Sequence, residues 1–188
     1  MTKYGYDWEP MVVTTEDDFI LTTFHILGKT DGSAKAANKG SVLIQHGDLE
    51  DGTSWVLGNG GEEESFHLKL VDAGYDVWIG NNRGTMYSWG HKTLDAAKDP
   101  EYWDWTWADM GLYDDVANIT AIKKATGLDK IFYLGYSQGT AQMHYGLSHL
   151  ESSFHVKNLH KVVHLAPCFV PNIIDSTKDF VDKTIMQF

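Results

Sequence analysis

The stretch "GYSQGT", residues 135–140, determines how the rest of the chain is interpreted. It follows the apolar run "IFYL" and precedes a segment with helical spacing, so it predicts a strand, a sharp turn and a helix. A G-x-S-x-G sequence in that context places the serine hydroxyl at the carboxyl end of a strand, where the two glycines leave room for a close backbone approach. Ser137 is therefore the candidate nucleophile.

Four short apolar runs are typical of strands buried on both faces of a parallel sheet. They cover residues 41–45, 75–79, 131–134 and 161–165. Two earlier runs around the acidic turn 16–18 alternate with period two and predict a β-hairpin. Helical patterns separate the later runs, so the chain is expected to form an α/β fold with right-handed crossovers.

Two of these helices have a predicted buried side. Leu112, Val116, Ile119 and Ile122 form an apolar stripe, and Gly127 lies where that helix would end. The helix after Ser137 is apolar nearly all round and is expected to be buried against the sheet. The loop 28–40 is expected to be exposed.

Composition excludes several classes of protein. The net charge is −11 and lysine and arginine form no cluster, so nucleic acid is not an expected partner. Apolar runs are far shorter than the roughly 20 residues of a transmembrane helix, and residues 1–10 show no signal-peptide pattern. The single cysteine, Cys168, excludes an internal disulfide and is interpreted as a small buried residue. Asn118 stands in a formal glycosylation sequon within a helical pattern.

The sequence also predicts an oxyanion hole beside Ser137. The backbone N–H of Gln138 would lie at a helix N-terminus and face a developing oxyanion. A second donor should come from the loop after the first parallel strand, where His46-Gly47-Asp48 stands.

Five segments together resemble the acid lipases, the gastric and lysosomal lipase family of the α/β-hydrolase fold. They are "EPMVVTTEDDFIL", "IQHGDLEDGTSWV", "DAGYDVWIGNNRGTMYSWGHKTL", "YWDWTWADMGLYDDVANI" and "GYSQGT", in the family's order and spacing. The resemblance runs from Tyr4 to at least Pro167. It implies hydrolysis of triacylglycerols and cholesteryl esters by a Ser-Asp-His triad, with no metal or organic cofactor, in a lysosomal or secreted protein.

The resemblance assigns roles to three residues of this chain. Ser137 matches the nucleophile, Gln138 the donor of the elbow, and Asp48 the second oxyanion-hole residue, acting through its backbone. Two positions depart from the family: Asp48 replaces a residue that is usually apolar, and Tyr136 replaces a residue that is usually histidine.

Two other features look functional by residue type but are expected to be structural. Arg83 in "GNNRG" is expected to satisfy buried carbonyls or a carboxylate. Three alternating tryptophans, Trp103, Trp105 and Trp107, are expected to pack at the start of the next helix rather than to bind lipid.

An ordered triad is missing from the sequence. In this fold the chain order is serine, then the acid, then histidine. No histidine follows the aspartates beyond Ser137, which are Asp175, Asp179 and Asp182. Glu151 could precede His155, His160 or His164, but it lies at the far end of the helix, roughly 20 Å from the serine. His164 is expected to be a hydrogen-bonded core histidine.

The sequence thus predicts the nucleophile half of a hydrolase, ending where the cap of the family would begin. Residues 1–188 are interpreted as the N-terminal part of one domain, with 167–188 starting a cap or a partner-docking segment. Three hypotheses remain open: half of a lipase completed by another polypeptide, an inactive structural subunit of a larger complex, or a module that binds an acyl chain. In the first two, the edge Val162 to Leu165 and the apolar side of 174–185 would be covered by other polypeptide.

Overall fold

A computed structural model describes residues 1–33, 39–56, 65–150 and 153–168. The strands are β1 Tyr6–Thr14, β2 Phe19–Lys29, β3 Ser41–Gln45, β4 Asp76–Ile79, β5 Gly90–His91, β6 Ile131–Tyr136 and β7 Leu159–Leu165. The helices are α1 Phe66–Asp72, α2 Trp107–Asp109, α3 Asp115–Thr126, α4 Gln138–His149 and α5 Ser153–Asn158. A π-helical turn, Met110–Asp114, joins α2 to α3, and short 3-10 turns cover Thr2–Tyr4, Gly52–Trp55 and Pro100–Trp103.

The strands form one mixed sheet in the order β1-β2-β4-β3-β6-β7, with the short β5 paired to β2. β2 is antiparallel to β1, β4 and β5, whereas the pairs β4-β3, β3-β6 and β6-β7 are parallel. The predicted hairpin and all four predicted parallel strands are present, and β6 and β7 are each two residues longer than predicted. The α/β expectation is therefore confirmed.

The central strands are buried because helices cover both faces of the sheet. All five residues of β3 and all four of β4 are buried. On one face Leu43 and Trp78 pack in a cluster with Ile119, Ile122 and Met143 of the helices α3 and α4. The opposite face packs against α1. This layering brings the carboxyl ends of β3, β4 and β6 to one edge of the sheet.

Only two of the four residues in the apolar stripe predicted for α3 are fully buried. Ile119 and Ile122 are fully buried, whereas Leu112 and Val116 are only half-buried. The inward positions beside them are taken by polar residues, including Asp114, Asp115 and Asn118. Gly127 ends the helix with a φ of 71°, as predicted. The Asn118 side chain is fully buried and accepts a hydrogen bond from Thr23, so it is inaccessible to a glycan in the folded protein.

The helix α4 is buried on one side rather than all round. Met143, Gln142 and Gly146 are buried, while Leu147 is 38% exposed. The expectation of complete burial is wrong because the outer side of α4 lines a surface groove. No helix in the described part of the chain combines the length and apolarity needed to cross a bilayer.

The carboxyl end of the described chain contains one further correction. Cys168 is exposed, not buried, and its backbone N–H donates to Thr140 Oγ1 at 3.0 Å. Among described residues β7 pairs with β6 alone, and Val163 on it is 43% exposed. The segments 174–185 and most of 167–188, including the three late aspartates, lie outside the described residues, as does Glu151. The described part of the loop 28–40 is exposed beyond the end of β2, as predicted.

Candidate active site

Ser137 lies at the turn between β6 and α4 with a φ of 49° and a ψ of −114°. Non-glycine residues rarely adopt this conformation, which is a known form of backbone strain at functional sites. Its backbone N–H donates to the carbonyl of Leu165 at 3.0 Å, and its carbonyl accepts from the N–H of Thr140 at 2.9 Å. Its side chain makes no capping hydrogen bond to α4. Helix capping therefore does not account for this serine.

Three glycines allow the close approach of β3, β6 and α4 around Ser137. A Cβ on Gly135 would lie 2.4 Å from the carbonyl oxygen of Gly139, and a Cβ on Gly139 would lie 2.8 Å from that of Gln45. A Cβ on Gly47 would lie 3.1 Å from the Cβ of Ser137. Backbone contacts thus require glycine at positions 135 and 139, while a side chain at Gly47 would press against the side chains of Ser137 and Tyr136.

Asp48 and Gln138 line the same groove as Ser137. Within the described residues, neither backbone N–H donates to a hydrogen-bond acceptor. The Asp48 side chain is exposed, and its Oδ1 accepts from the N–H of Leu49 at 3.0 Å. The Gln138 side chain points elsewhere, with Nε2 3.0 Å from the sulfur of Met110. The two N–H groups are therefore available to a ligand.

Two clefts meet at this point. A mostly apolar groove of about 440 Å³ contains Ser137. It is lined by Trp107 of α2 and by Ala141 and Tyr145 of α4. A larger cleft of about 750 Å³ extends over the loops after β3 and β4. Residues shared by both clefts are Asp48, Trp107 and Gln138. The two clefts therefore adjoin beside Ser137.

The three tryptophans differ in how far they pack inside the fold and how far they line the two clefts. Trp103 donates its indole N–H to the carbonyl of Ala96 at 2.9 Å and packs edge-on against Tyr102, as predicted. Trp105 packs against the core cluster around Phe19 and Tyr102 and also lines the larger cleft. Trp107 lines both clefts and stands edge-on to Tyr145. Sequence spacing could not separate these two roles.

Arg83 has the structural role that was expected. It is 1% exposed, and its Nε donates to Asp114 Oδ1 at 2.9 Å while Nη1 donates to Asp17 Oδ2 at 2.6 Å. Its guanidinium also lies over the ring of Phe19 at 4.0 Å. These contacts join the hairpin turn, the loop after β4 and the start of α3 beneath the larger cleft.

A buried polar network behind the site was missed by sequence reasoning. Gln142 Nε2 donates to Asp115 Oδ1 at 2.8 Å, and Asn82 Nδ2 donates to Gln142 Oε1 at 2.9 Å. The hydroxyl of Tyr133 donates to the carbonyl of Gly139, in the elbow itself, at 2.8 Å. Burial raises the pKa of Asp115 well above its usual range and so favours the protonated carboxyl. The only sequence signal was the adjacent pair Asp114-Asp115 within an apolar helical pattern.

The histidines considered as bases do not complete a triad among the described residues. His155 is buried on α5, and His160 is exposed and tilted over Phe132. His164 lies opposite Gly135 in the β6–β7 register, and burial, with His144 nearby, lowers its pKa. His144, which sequence reasoning did not consider, lines the same groove as Ser137.

Comparisons with known proteins agree with this geometry. Residues 40–187 match the family described as alpha/beta hydrolase fold, and residues 1–59 match the partial alpha/beta-hydrolase lipase region. The chain therefore belongs to the α/β-hydrolase family, on its lipase-like branch, and the resemblance seen in the sequence is confirmed.

Individual relatives are lipases of greater length. Lipase lipl-1 of Caenorhabditis elegans is 37% identical over 188 residues, which are 99% of this chain and 45% of the relative. The human lysosomal acid lipase/cholesteryl ester hydrolase is 38% identical over 142 residues, which are 74% of this chain and 34% of the relative. Among solved structures, the Pyrococcus furiosus esterase Pf2001 has a TM-score of 0.61 at 21% identity, covering 100% of this chain and 61% of that one. This last likeness shows the fold alone.

Proposed function

We propose that this chain carries the nucleophile and the oxyanion hole of a lipase-like serine ester hydrolase. Ser137 would attack the ester carbonyl, and the backbone N–H groups of Gln138 and Asp48 would stabilise the oxyanion. The observation that carries the proposal is the strained, uncapped position of Ser137, whose Cβ would lie only 3.1 Å from a Cβ added to Gly47. The apolar groove beside it suits an acyl chain. By likeness to its relatives, the substrate would be a triacylglycerol or a steryl ester.

The acid and the base would come from polypeptide outside the described residues. A serine hydroxyl is a weak nucleophile unless an adjacent base accepts its proton. The chain spans less than half of the length of its lipase relatives, so the proposal assigns these two groups to the remaining part of such a fold. Residues 1–188 would then be the N-terminal part of one hydrolase domain, with 167–188 leading into a cap or a partner.

The direct experiment is purification of the tagged chain from its own source under conditions that retain any partner, followed by an ester hydrolysis assay. The proposal expects activity on a long-chain triacylglycerol or steryl ester that disappears in Ser137→Ala. A Ser137→Ala preparation as active as the parent would refute it, because the activity would then belong to another protein.

A second candidate is a catalytically inactive, lipase-like structural subunit of a larger complex. The observation that favours it is Asp48, a carboxylate beside the proposed oxyanion hole, where it would oppose developing negative charge. An assembly that folds normally, contains this chain and hydrolyses no ester would select this candidate over the first.

Both candidates place other polypeptide against the outer edge of β7. Val162 to Leu165 present an apolar strand edge, and such an edge is a template for pairing or aggregation when it is left bare. Size-exclusion chromatography with light scattering on the chain expressed alone should therefore show aggregation. A stable monomer that unfolds cooperatively would contradict the proposed partner.

A further inference from the structure

The imidazole of His46 is enclosed between two backbone groups of different loops. The ring is 2% exposed, its Nδ1 lies 2.8 Å from the carbonyl oxygen of Gly47, and the backbone N–H of Asn82 donates to its Nε2 at 3.1 Å. A backbone N–H can only donate and a carbonyl can only accept. The geometry therefore fixes one neutral tautomer, with the proton on Nδ1.

Asn82 is itself held by side chains from two other elements. Its Oδ1 accepts from Gln45 Nε2 at 2.8 Å, and its Nδ2 donates to Gln142 Oε1 at 2.9 Å. Gln142 is anchored in turn by Asp115 at 2.8 Å. An unbroken series of hydrogen bonds thus runs from the helices α3 and α4 through Asn82 to His46.

This series ends on the loop that contains the proposed oxyanion donor. Gly47 packs against Ser137 and directly precedes Asp48. The carbonyl of Gly47 and the N–H of Asp48 belong to the same peptide group, so a hydrogen bond that fixes the carbonyl also fixes the direction of the N–H. On the other side, Glu50 Oε2 accepts from the N–H of Gly47 at 3.2 Å.

We propose that His46 is a positioning residue for the oxyanion hole. In its Nδ1–H tautomer it would lock the Gly47–Asp48 peptide and so aim the N–H of Asp48 at the oxygen of the reacting carbonyl. The inference rests on the proposed function, because it assigns a role within the same reaction. The tautomer that it requires can be measured without any activity.

The surroundings of His46 support a neutral ring. Burial lowers its pKa, and the carboxylates of Asp48, Glu50 and Asp51 are the charged groups near it and oppose that shift. A protonated ring would carry a proton on Nε2 and could not accept from Asn82. The geometry and the burial therefore agree on the same protonation state.

The first test is spectroscopic and uses the assembly purified through a tag on this chain, with its histidines labelled with ¹⁵N. Long-range ¹H–¹⁵N correlation at pH 7, assigned with His46→Gln, should show His46 as the neutral Nδ1–H tautomer. An Nε2–H tautomer or a protonated ring would overturn the proposal, whether or not the protein is active.

The second test compares variants by the rate at which a fluorophosphonate labels Ser137 in the same assembly. His46→Leu should slow labelling by about 10- to 100-fold, because a misdirected donor no longer stabilises the oxyanion. His46→Gln, whose amide supplies both a donor and an acceptor, should recover part of the rate. The matched control is His67→Leu, which changes another fully buried histidine, on α1. Ser137 of this variant should be labelled at the same rate as in the parent.

The two tests separate the possible failures. Equal labelling rates in His46→Leu and the parent, per folded molecule, would overturn the positioning role. A parent assembly that never labels at Ser137 would refute the proposed hydrolase, while the tautomer measurement would still decide whether His46 holds the loop as described.

Discussion

Arg83 and Asp17 form a paired ionic contact across 66 residues of sequence. Nη1 of Arg83 lies 2.6 Å from Oδ2 of Asp17, and Nη2 lies 2.9 Å from Oδ1. The arginine side chain is 1% exposed and that of Asp17 is 30% exposed. The turn of the N-terminal hairpin is therefore attached to the loop that follows β4, beneath the larger cleft.

Asp17→Asn should destabilise the protein by about 1 to 3 kcal/mol, because it leaves part of a buried guanidinium without its charged partner. Asp18→Asn is the matched control, since Asp18 pairs with Lys92 in an exposed bridge whose loss should cost less than about 1 kcal/mol. Urea denaturation of both variants measures the difference. Equal stability losses would show that the Arg83 contact contributes no more than a surface pair.

Asp48→Leu should raise the rate of Ser137 labelling in the assembly or leave it level. The substitution restores an apolar residue at this position and removes a negative charge near the developing oxyanion. Because the carboxylate is exposed, screening by water and salt limits the gain to about tenfold. Asp48→Asn is the uncharged control of similar shape. A steep loss of rate in both variants would instead mean that the carboxylate takes part in the reaction.

The two adjacent carboxyls at the start of α3 should differ in how much stability is lost when each is replaced by asparagine. Asp114 is ion-paired with Arg83 at 2.8 Å, and burial raises its pKa to about 6, so it is ionised at pH 7. Asp114→Asn should therefore cost about 3 to 5 kcal/mol. Asp115 has no cationic partner among the described residues, and burial raises its pKa well above the usual range, so Asp115→Asn should cost far less.

The stability of Asp115→Asn relative to the parent should rise with pH. Burial raises the pKa of Asp115 in the fold above the ordinary value of 3.8, so the unfolded chain loses this proton first and the parent loses stability as pH rises from there. Asp115→Asn removes this loss. Its stability relative to the parent should thus be higher at pH 7 than at pH 4, by chemical denaturation at each pH. The opposite trend would mean that Asp115 is ionised in the fold.

His67 should make the fold sensitive to acid. Burial lowers the pKa of this fully buried histidine from 6.5 to about 4. The unfolded chain therefore binds a proton below pH 6.5 that the fold does not accept, and stability falls as pH drops from 6.5 to 4, by about 3 kcal/mol in all. His67→Leu should flatten this part of the stability curve. An unchanged slope would show that other groups cause the acid sensitivity.

The sequence predicted the fold because its strongest signals are local. Continuous apolar runs marked β3, β4 and β6, and "GYSQGT" marked the elbow, since only glycine fits the contacts at Gly135 and Gly139. The burial of α3 and α4 was predicted less well. Asp115 and Gln142 form a hydrogen bond inside the core across 27 residues of sequence, and apolar periodicity cannot detect such pairs.

The candidate site was predicted in part for the same reason. Ser137, Gln138 and Asp48 belong to motifs that set their backbone positions, and the structure brings all three together. The hydrogen bonds of His46 depend on a loop 36 residues away, so the sequence marked the residue but not its contacts. The exposure of Cys168 depends on the groove along α4, which no local pattern shows.

The central claim is that Ser137 is a nucleophile activated by a base outside the described residues. The most direct measurement is fluorophosphonate labelling followed by peptide mass spectrometry, on the isolated chain and on the tagged assembly from its source. The account predicts no labelled Ser137 in the isolated chain, specific labelling of Ser137 in the assembly, and none in Ser137→Ala. Rapid labelling of Ser137 in the monodisperse isolated chain would contradict it, because the base would then lie within these 188 residues, with His164 and His144 the first to test.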